Sequence, residues 1–431
     1  MNASRRDLPV RSRVAVAVTR SVNAVSRRLG AGSGTVIGGR AGLAVDHRLL
    51  GRLAAGRDVV LVTGTNGKTT TTRLVAAALS VDRNGTVVTN ATGSNMPPGH
   101  VAALASGPAR TPAVLEVDEG YLPVLLGELT PRVVVLLNLS RDQLDRTNEV
   151  RMVASRWRDA LAGSSTTVVA NADDPLVGWG AQAARRAVWV GAGLGWRLDA
   201  VGCPSCGGRI EFGASWACEC GFARPALDAW IERRAGAAVA HFADGRQVPI
   251  ALALPGRFNQ ANALLAAVAA EVLATPAGRA LGAMASVEEV AGRFAVRPVA
   301  GVPVRLMLAK NPAGWSELLD LVCPGTAPLV VGINARVADG RDPSWLWDVP
   351  FERLRGRRVV ATGERCLDLS VRLRYAEVGH STVADPVAAV AAASAGVPAG
   401  VPAVGGEAAV GGEAAVEFVG NYTAFHDLLD R

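Results

Sequence analysis

The run Asp58-Val59-Val60-Leu61-Val62-Thr63, followed by Gly64-Thr65-Asn66-Gly67-Lys68-Thr69-Thr70, constrains this chain more than any other stretch. A short β-branched apolar run suits a strand buried on both faces, and Thr70–Leu79 after the glycine turn has helical spacing. In a strand–loop–helix unit of this kind, backbone N–H groups converge on phosphate oxygens. Lys68 can then reach a β- or γ-phosphate, and the Thr69 hydroxyl is placed to bind Mg²⁺. The usual spacing is G-x-x-x-x-G-K-[ST]. Here the first glycine stands closer to Gly67, at Gly64, so the loop is a shortened variant. Of 45 basic residues only Lys68 and Lys310 are lysines, so each marks a position where the bulkier arginine would not serve.

That arginine bias reads as a coding preference, so the net charge of +7 is weak ground for a nucleic-acid partner, and none is expected. With 431 residues, 49% hydrophobic and 19% charged, the chain is globular and long enough for two to four domains. No run reads as a membrane span, and the first thirty residues lack the long apolar core of a leader, so a cytoplasmic location is expected. Arg11, Arg13, Arg20, Arg27 and Arg28 lie on an amphipathic helix expected over Val10–Leu29. It is either a solvated helix packed on its domain or a peripheral contact with the inner face of an anionic membrane.

Further short strands are expected at Val87–Asn90, Ala113–Val117, Val133–Asn138, Thr167–Asn171 and Val188–Val190, separated by helix-length stretches. This alternation implies a parallel sheet covered on both faces. An alanine-rich helix is expected over Arg257–Ala274, and a second α/β set begins at Val302–Leu308, continuing through Pro328–Ile333 and Arg358–Thr362. The expected organisation is an N-terminal basic helix and lead-in (1–50), an ATP-binding domain (51–300) and a C-terminal α/β domain (301–431), with a boundary near Gly301. Residues 392–416 contain Val-Gly-Gly-Glu-Ala-Ala twice and are expected to form a mobile loop, after which Val416–Phe425 rejoins the fold as a strand.

Residues 200–224 interrupt the rhythm with Cys203-Pro-Ser-Cys206 and Cys218-Glu-Cys220. Four thiolates are what a closed tetrahedral Zn²⁺ site requires, and a closed site is structural. Two disulfides are the alternative, and iron is the alternative metal. Cys323 and Cys366 stand alone and are expected to be small buried hydrophobes.

The variant loop resembles that of the Mur ligase superfamily, which includes the folylpolyglutamate synthases. Leu115-Glu116-Val117-Asp118-Glu119 resembles the superfamily's acidic Mg²⁺ segment, which implies Glu116 as a ligand beside Thr69. Asn138-Leu-Ser-Arg-Asp142-Gln143-Leu-Asp145 resembles its Asn-Leu…Asp-His-Leu-Asp motif, with Gln143 in place of the histidine. Asn171-Ala-Asp-Asp174-Pro and Pro255-Gly-Arg-Phe-Asn259-Gln-Ala-Asn262 resemble the nucleotide-contacting segments. The resemblance therefore implies that Gly64, Thr65, Asn66, Gly67, Lys68, Thr69, Thr70, Glu116, Asn138, Asn171, Asp174, Asn259 and Asn262 bind ATP and its Mg²⁺.

Farther on, Leu308-Ala-Lys310-Asn-Pro-Ala-Gly-Trp315, the polar loop Asn334–Asp348, Gly363-Glu-Arg365 and Asn421-Tyr-Thr423 resemble the MurT family, the ligase-like subunits of lipid II isoglutaminyl synthases. This implies a Mur-ligase-type α/β fold: a parallel-sheet P-loop ATPase domain with an inserted four-cysteine zinc ribbon, plus a C-terminal α/β domain. It implies ATP-dependent amidation of the D-glutamate α-carboxylate of the peptidoglycan stem peptide, with ammonia from a GatD-like glutaminase subunit and lipid II or a related precursor as substrate. Lys310 would steady an acyl phosphate and Arg293 would orient phosphate or substrate. Asp339, then Asp342, with Asp348 behind them, would polarise ammonia or a histidine of the glutaminase. Neither Cys323 nor Cys366 lies in a glycine-rich nucleophile elbow, which fits a chain without its own glutaminase. Two other readings stay open: an ATP-dependent Mur- or folylpolyglutamate-type amino-acid ligase, and a nucleotide-binding scaffold that recruits partners through its ribbon.

Overall fold

The computed structural model describes residues 8–29, 35–81, 85–90, 94–141, 150–234, 237–288, 294–323, 327–395 and 415–429. Two sheets organise them. The first is built from β1 (Val59–Thr63), β2 (Val88–Thr89), β3 (Ala113–Val117), β4 (Val133–Leu136), β5 (Thr167–Asn171) and β6 (Arg186–Gly191), all parallel. The hairpin β7 (Glu211–Phe212) and β8 (Trp216–Ala217) stands apart. Then β9 (Ala229–Arg234), β10 (Ala237–Phe242) and β11 (Gln247–Pro249) extend the sheet, giving the order β11-β10-β9-β6-β5-β4-β1-β3-β2. Every residue of β1, β3, β4 and β5 is buried, as a sheet with helices on both faces requires. Helices Lys68–Ser80, Arg257–Val272 and Ala277–Met284 cover one face; Leu49–Ala54, Pro97–Ser106, Leu122–Leu129 and Val150–Ala162 cover the other.

The second sheet comprises β12 (Phe294–Val299), β13 (Val302–Leu308), β14 (Leu329–Gly332), β15 (Val359–Thr362), β16 (His380–Thr382) and β17 (Val416–Gly420), in the order β12-β13-β17-β14-β15-β16. Only β12 runs antiparallel. The change from first sheet to second therefore precedes Phe294 and does not fall at Gly301. Ala300 and Gly301 are instead the two-residue turn of the β12–β13 hairpin, at φ 48° and 81°, the left-handed geometry that suits the twist of paired strands. The expected strand Val416–Phe425 is also shorter: it stops at Gly420, and a helix, Tyr422–Leu429, follows. The repeat-containing stretch expected to be mobile lies almost wholly outside the described residues. No described helix is long and apolar enough to cross a membrane.

Candidate active site

The phosphate loop leaves the carboxyl end of β1, the edge where parallel sheets bind ligands. Gly64 and Gly67 have φ of 139° and 84°; a Cβ on Gly67 would lie 2.9 Å from Asn262 Oδ1. Both positions thus need glycine, for backbone angle and for close approach. Lys68 is buried. Its ammonium donates to Gly64 O (2.5 Å) and Thr65 O (3.1 Å) and pairs with Glu119 Oε2 at 3.0 Å. Asn138 grips the loop from β4's end, accepting from Asn66 N at 2.9 Å and donating to Asn66 O at 3.1 Å. Thr65 exchanges two bonds with the Ser140 backbone, each 3.0 Å.

Thr69 Oγ1 donates to Glu116 Oε2 at 2.8 Å. Adjacent oxygens around an octahedral Mg²⁺ lie about 3 Å apart, so the pair is spaced as neighbouring ligands. The donor set is hard oxygen, which fits that ion. Glu116 is held in turn: Asn90 bonds its N–H and its C=O (2.8 and 2.9 Å), and His100 Nε2 meets the same C=O at 2.8 Å. Burial drives the His100 pKa down to about 4, so its ring is neutral here.

One cleft gathers Asn66, Gly67, Thr69, Thr70, Asn259 and Asn262 of the first sheet's side with Lys310, Gly314 and Glu317 of the second, above Phe258, Phe294, Met307 and Leu318. Asn66 and Asn311 join the two sides through a cyclic amide pair, 3.2 Å in each direction. Asn311 also caps helix Pro312–Val322 by accepting from Gly314 N. Half-buried Glu317 is pushed up to about 7 by burial and then by Asp320. Asn171 and Asp174 do not reach this cleft. Asn171 bonds Gly193 O and Asp173 N. Asp174, fully buried, caps helix Pro175–Ala181 and accepts from Leu139 N; burial raises it to about 6 against three backbone N–H donors. Asp174 thereby fixes the loop after Asn138, and Asn171 holds the turn at Gly193. Arg293 and Gln143 lie outside the described residues.

A second polar cluster sits at the carboxyl ends of β14, β15 and β17. The Asn421 side chain clasps the Asn334 backbone, accepting from its N–H at 3.0 Å and donating to its C=O at 2.6 Å, and Arg336 pairs with Asp427 and Glu364 at 2.8 Å each. Asp339 is buried and accepts from Thr423 N (2.8 Å), Thr423 Oγ1 (2.5 Å) and Arg336 N (3.2 Å). Its oxygens therefore lock the loop to helix Tyr422–Leu429. Asp342 is exposed, its pKa lowered by the Ser344 N–H that it accepts. Asp348 meets Arg141 at 3.5 Å.

The four cysteine sulfurs lie within 4.8 Å of one another, with Cys203–Cys220 at 3.7 Å and Cys206–Cys218 at 3.5 Å. Those are not disulfide distances. Tetrahedral thiolates on a 2.3 Å bond would stand about 3.8 Å apart, so the cage fits a metal of that size. The ribbon is pinned to the β5 loop by Trp216 Nε1, which donates to Ala172 O at 2.9 Å, and by Arg224–Asp173 at 2.8 Å.

Sequence reasoning missed Glu119, Asn90, His100, Asn311 and Glu317. Glu119 was in view beside Glu116, but only the turn at Glu119–Tyr121 brings it back to Lys68. Asn311 adjoins Lys310, and the adjacency was the available signal.

Residues 62–193 match the Mur ligase middle domain and residues 308–397 the MurT ligase C-terminal family. The lipid II isoglutaminyl synthase (glutamine-hydrolyzing) subunit MurT of Streptococcus pneumoniae (strain ATCC BAA-255 / R6) is 30% identical over 384 residues, 82% of this chain and 85% of that protein. The chain belongs to the MurT family. The MurT subunit of Staphylococcus aureus (strain COL) is 29% identical over 391 residues, 86% of this chain and 89% of that one. In fold, this MurT-family chain is similar to the MurF ligase from Thermotoga maritima in complex with ADP, with a TM-score of 0.61 at 16% identity over 90% of this chain and 83% of that one.

Proposed function

We propose that the protein is the ATP-using subunit of a lipid II isoglutaminyl synthase, acting in the cytoplasm with a GatD-like glutaminase. The observation that carries this reading is the cleft itself. In a MurT-family chain, the phosphate loop with its Thr69–Glu116 oxygen pair faces Lys310 across a seam between two sheets.

A carboxylate is a poor electrophile, so it must first gain a leaving group. In the proposed reaction an oxygen of the D-glutamate α-carboxylate attacks the γ-phosphorus of ATP, ADP departs, and an acyl phosphate forms. Ammonia then attacks the acyl carbon and phosphate leaves, giving the amide. Lys68 and the loop N–H groups would stabilise the charge that develops on the transferring phosphoryl group. Thr69 and Glu116 would hold Mg²⁺, which neutralises phosphate charge when bound. Asn259, Asn262 and the apolar wall would seat the nucleoside, and Lys310 would steady the acyl phosphate. Asp342, the exposed carboxylate of the 334–348 loop, would act toward ammonia or the glutaminase. The cysteine cage would hold a structural Zn²⁺.

The test is glutamine-dependent amidation of lipid II by this protein and a glutaminase subunit, read as product mass. The expected product has lost the single mass unit that separates an acid from its amide. It requires both proteins and ATP, and Lys68→Ala abolishes it. Product formed with an amino acid and no glutaminase would move the protein to the amino-acid ligases.

A further inference from the structure

Helix Val10–Arg28 is built inside out. Its buried face is mostly small and polar: Ser12, Ala15, Val16, Thr19, Asn23 and Ser26. The reason lies in helix Thr35–Val45, whose glycines let the two backbones touch. A Cβ on Gly38 would fall 1.9 Å from Asn23 Oδ1, and one on Gly42 would fall 2.1 Å from Thr19 Oγ1. No large side chain fits that seam, and several aliphatic residues point the other way. Val10 is 67% exposed, Val14 49%, Val25 54% and Leu29 77%; Ile37 on the second helix is 58% exposed. Val14 and Val25 are three turns apart and Val10 and Leu29 extend the same strip, so these side chains share the outward side.

The charge on this helix has one sign. It carries five arginines and no acid. Arg11 donates to Val45 O and Arg20 to Ala105 O, which ties the helix to its neighbours. Arg13, Arg27 and Arg28 are exposed and make no ion pair among the described residues. An aliphatic strip edged by arginines on a water-facing helix is costly in solution, and it is the arrangement that lies in the interface of an anionic bilayer. We infer that this face is a membrane-docking surface for anionic lipid. Valine and leucine side chains would enter the headgroup boundary while Arg13, Arg27 and Arg28 meet lipid phosphates. The inference uses no part of the cleft, though a lipid-linked substrate would be met at such a surface.

The test is flotation of the full chain with vesicles of phosphatidylcholine alone or mixed with phosphatidylglycerol, without nucleotide. The protein should float only with the anionic vesicles and be released by high salt. Arg27→Glu/Arg28→Glu should cut the bound fraction more than about tenfold. Val14→Asp/Val25→Asp should do the same, with circular dichroism and melting temperature unchanged because these side chains are exposed. ATP-dependent amidation of a soluble precursor should persist in both variants, which separates this question from that of the cleft. No flotation, or flotation indifferent to both variants, overturns the inference. So does loss of co-elution with the glutaminase in variants whose parent never bound vesicles, since the face would then be a protein interface.

Discussion

Asp339 and Asp342 are three residues apart and do different physical work. Asp339 is buried and accepts three hydrogen bonds, two of them from Thr423. An amide there must turn its NH₂ toward one of those donors, so Asp339→Asn should cost about 1–3 kcal/mol in urea unfolding. Asp342 faces water, and Asp342→Asn should change stability by no more than about 0.5 kcal/mol while lowering glutamine-dependent amidation. Equal stability in both variants would show that Asp339 is not the lock described here. Glu317 offers a pH measurement. Burial lifts its pKa from 4.5 to about 7. An acid with a higher pKa folded than unfolded binds its proton more tightly in the native state, so its contribution is complete below pH 4.5 and is lost as pH rises through about 7. Glu317→Gln cannot titrate. Its melting temperature relative to the parent should therefore climb between pH 5 and pH 8, and a flat difference would contradict the assigned environment.

At the scale of elements, the ribbon is a separable piece. Its own core is Cys203, Ile210, Trp216, Cys218 and Phe222, too small to fold on hydrophobic burial alone. A strong chelator should therefore melt the ribbon, shift the emission of Trp216 as its ring leaves this core, and lower the first melting transition while the large sheet keeps its circular dichroism. One equivalent of zinc by elemental analysis, lost together with the Trp216 signal, is the expected result; metal-free protein with the same emission would refute it. The clustering of the four cysteines was legible in advance, because two close pairs at short spacing are what a shared ion would require. So were β1 and the limits of β3 and β5, since strands buried on both faces read as unbroken apolar runs. The antiparallel extension β9–β11 was not, because Trp230-Ile-Glu-Arg-Arg234 mixes burial with charge and carries no clean period. Val416–Phe425 misread as one strand because apolar content does not mark where Asn421 ends the ladder. Within the cleft, the loop residues were legible, whereas Glu119 and Glu317 depended on turns and packing that spacing does not encode.

For the whole molecule, the seam between the sheets is the feature that the proposed function would bridge. Across it the structure shows the Asn66–Asn311 amide pair, the Arg141–Asp348 ion pair and a cleft lined from both sides. Neutral amides, a surface ion pair and the contact of Phe258 with the second core are small beside either sheet's own core, so without nucleotide the two sheets should unfold separately under calorimetry. A nucleotide seated between the loop and Lys310 would touch both sides, and ligand bound only to the native state stabilises by about 2.7 kcal/mol at 100 times its Kd. Saturating Mg²⁺ with a non-hydrolysable ATP analogue should therefore merge the transitions into one at higher temperature. Lys68→Arg should lose this effect, because guanidinium cannot occupy the space where the ammonium meets Gly64, Thr65 and Glu119. Asn311→Ala should still bind the analogue but leave the two transitions partly apart, since the loop is intact and only the bridge is gone. If the analogue raised only the first transition in the parent protein, the second sheet would not share the site, and Lys310 would lose its proposed part in the reaction.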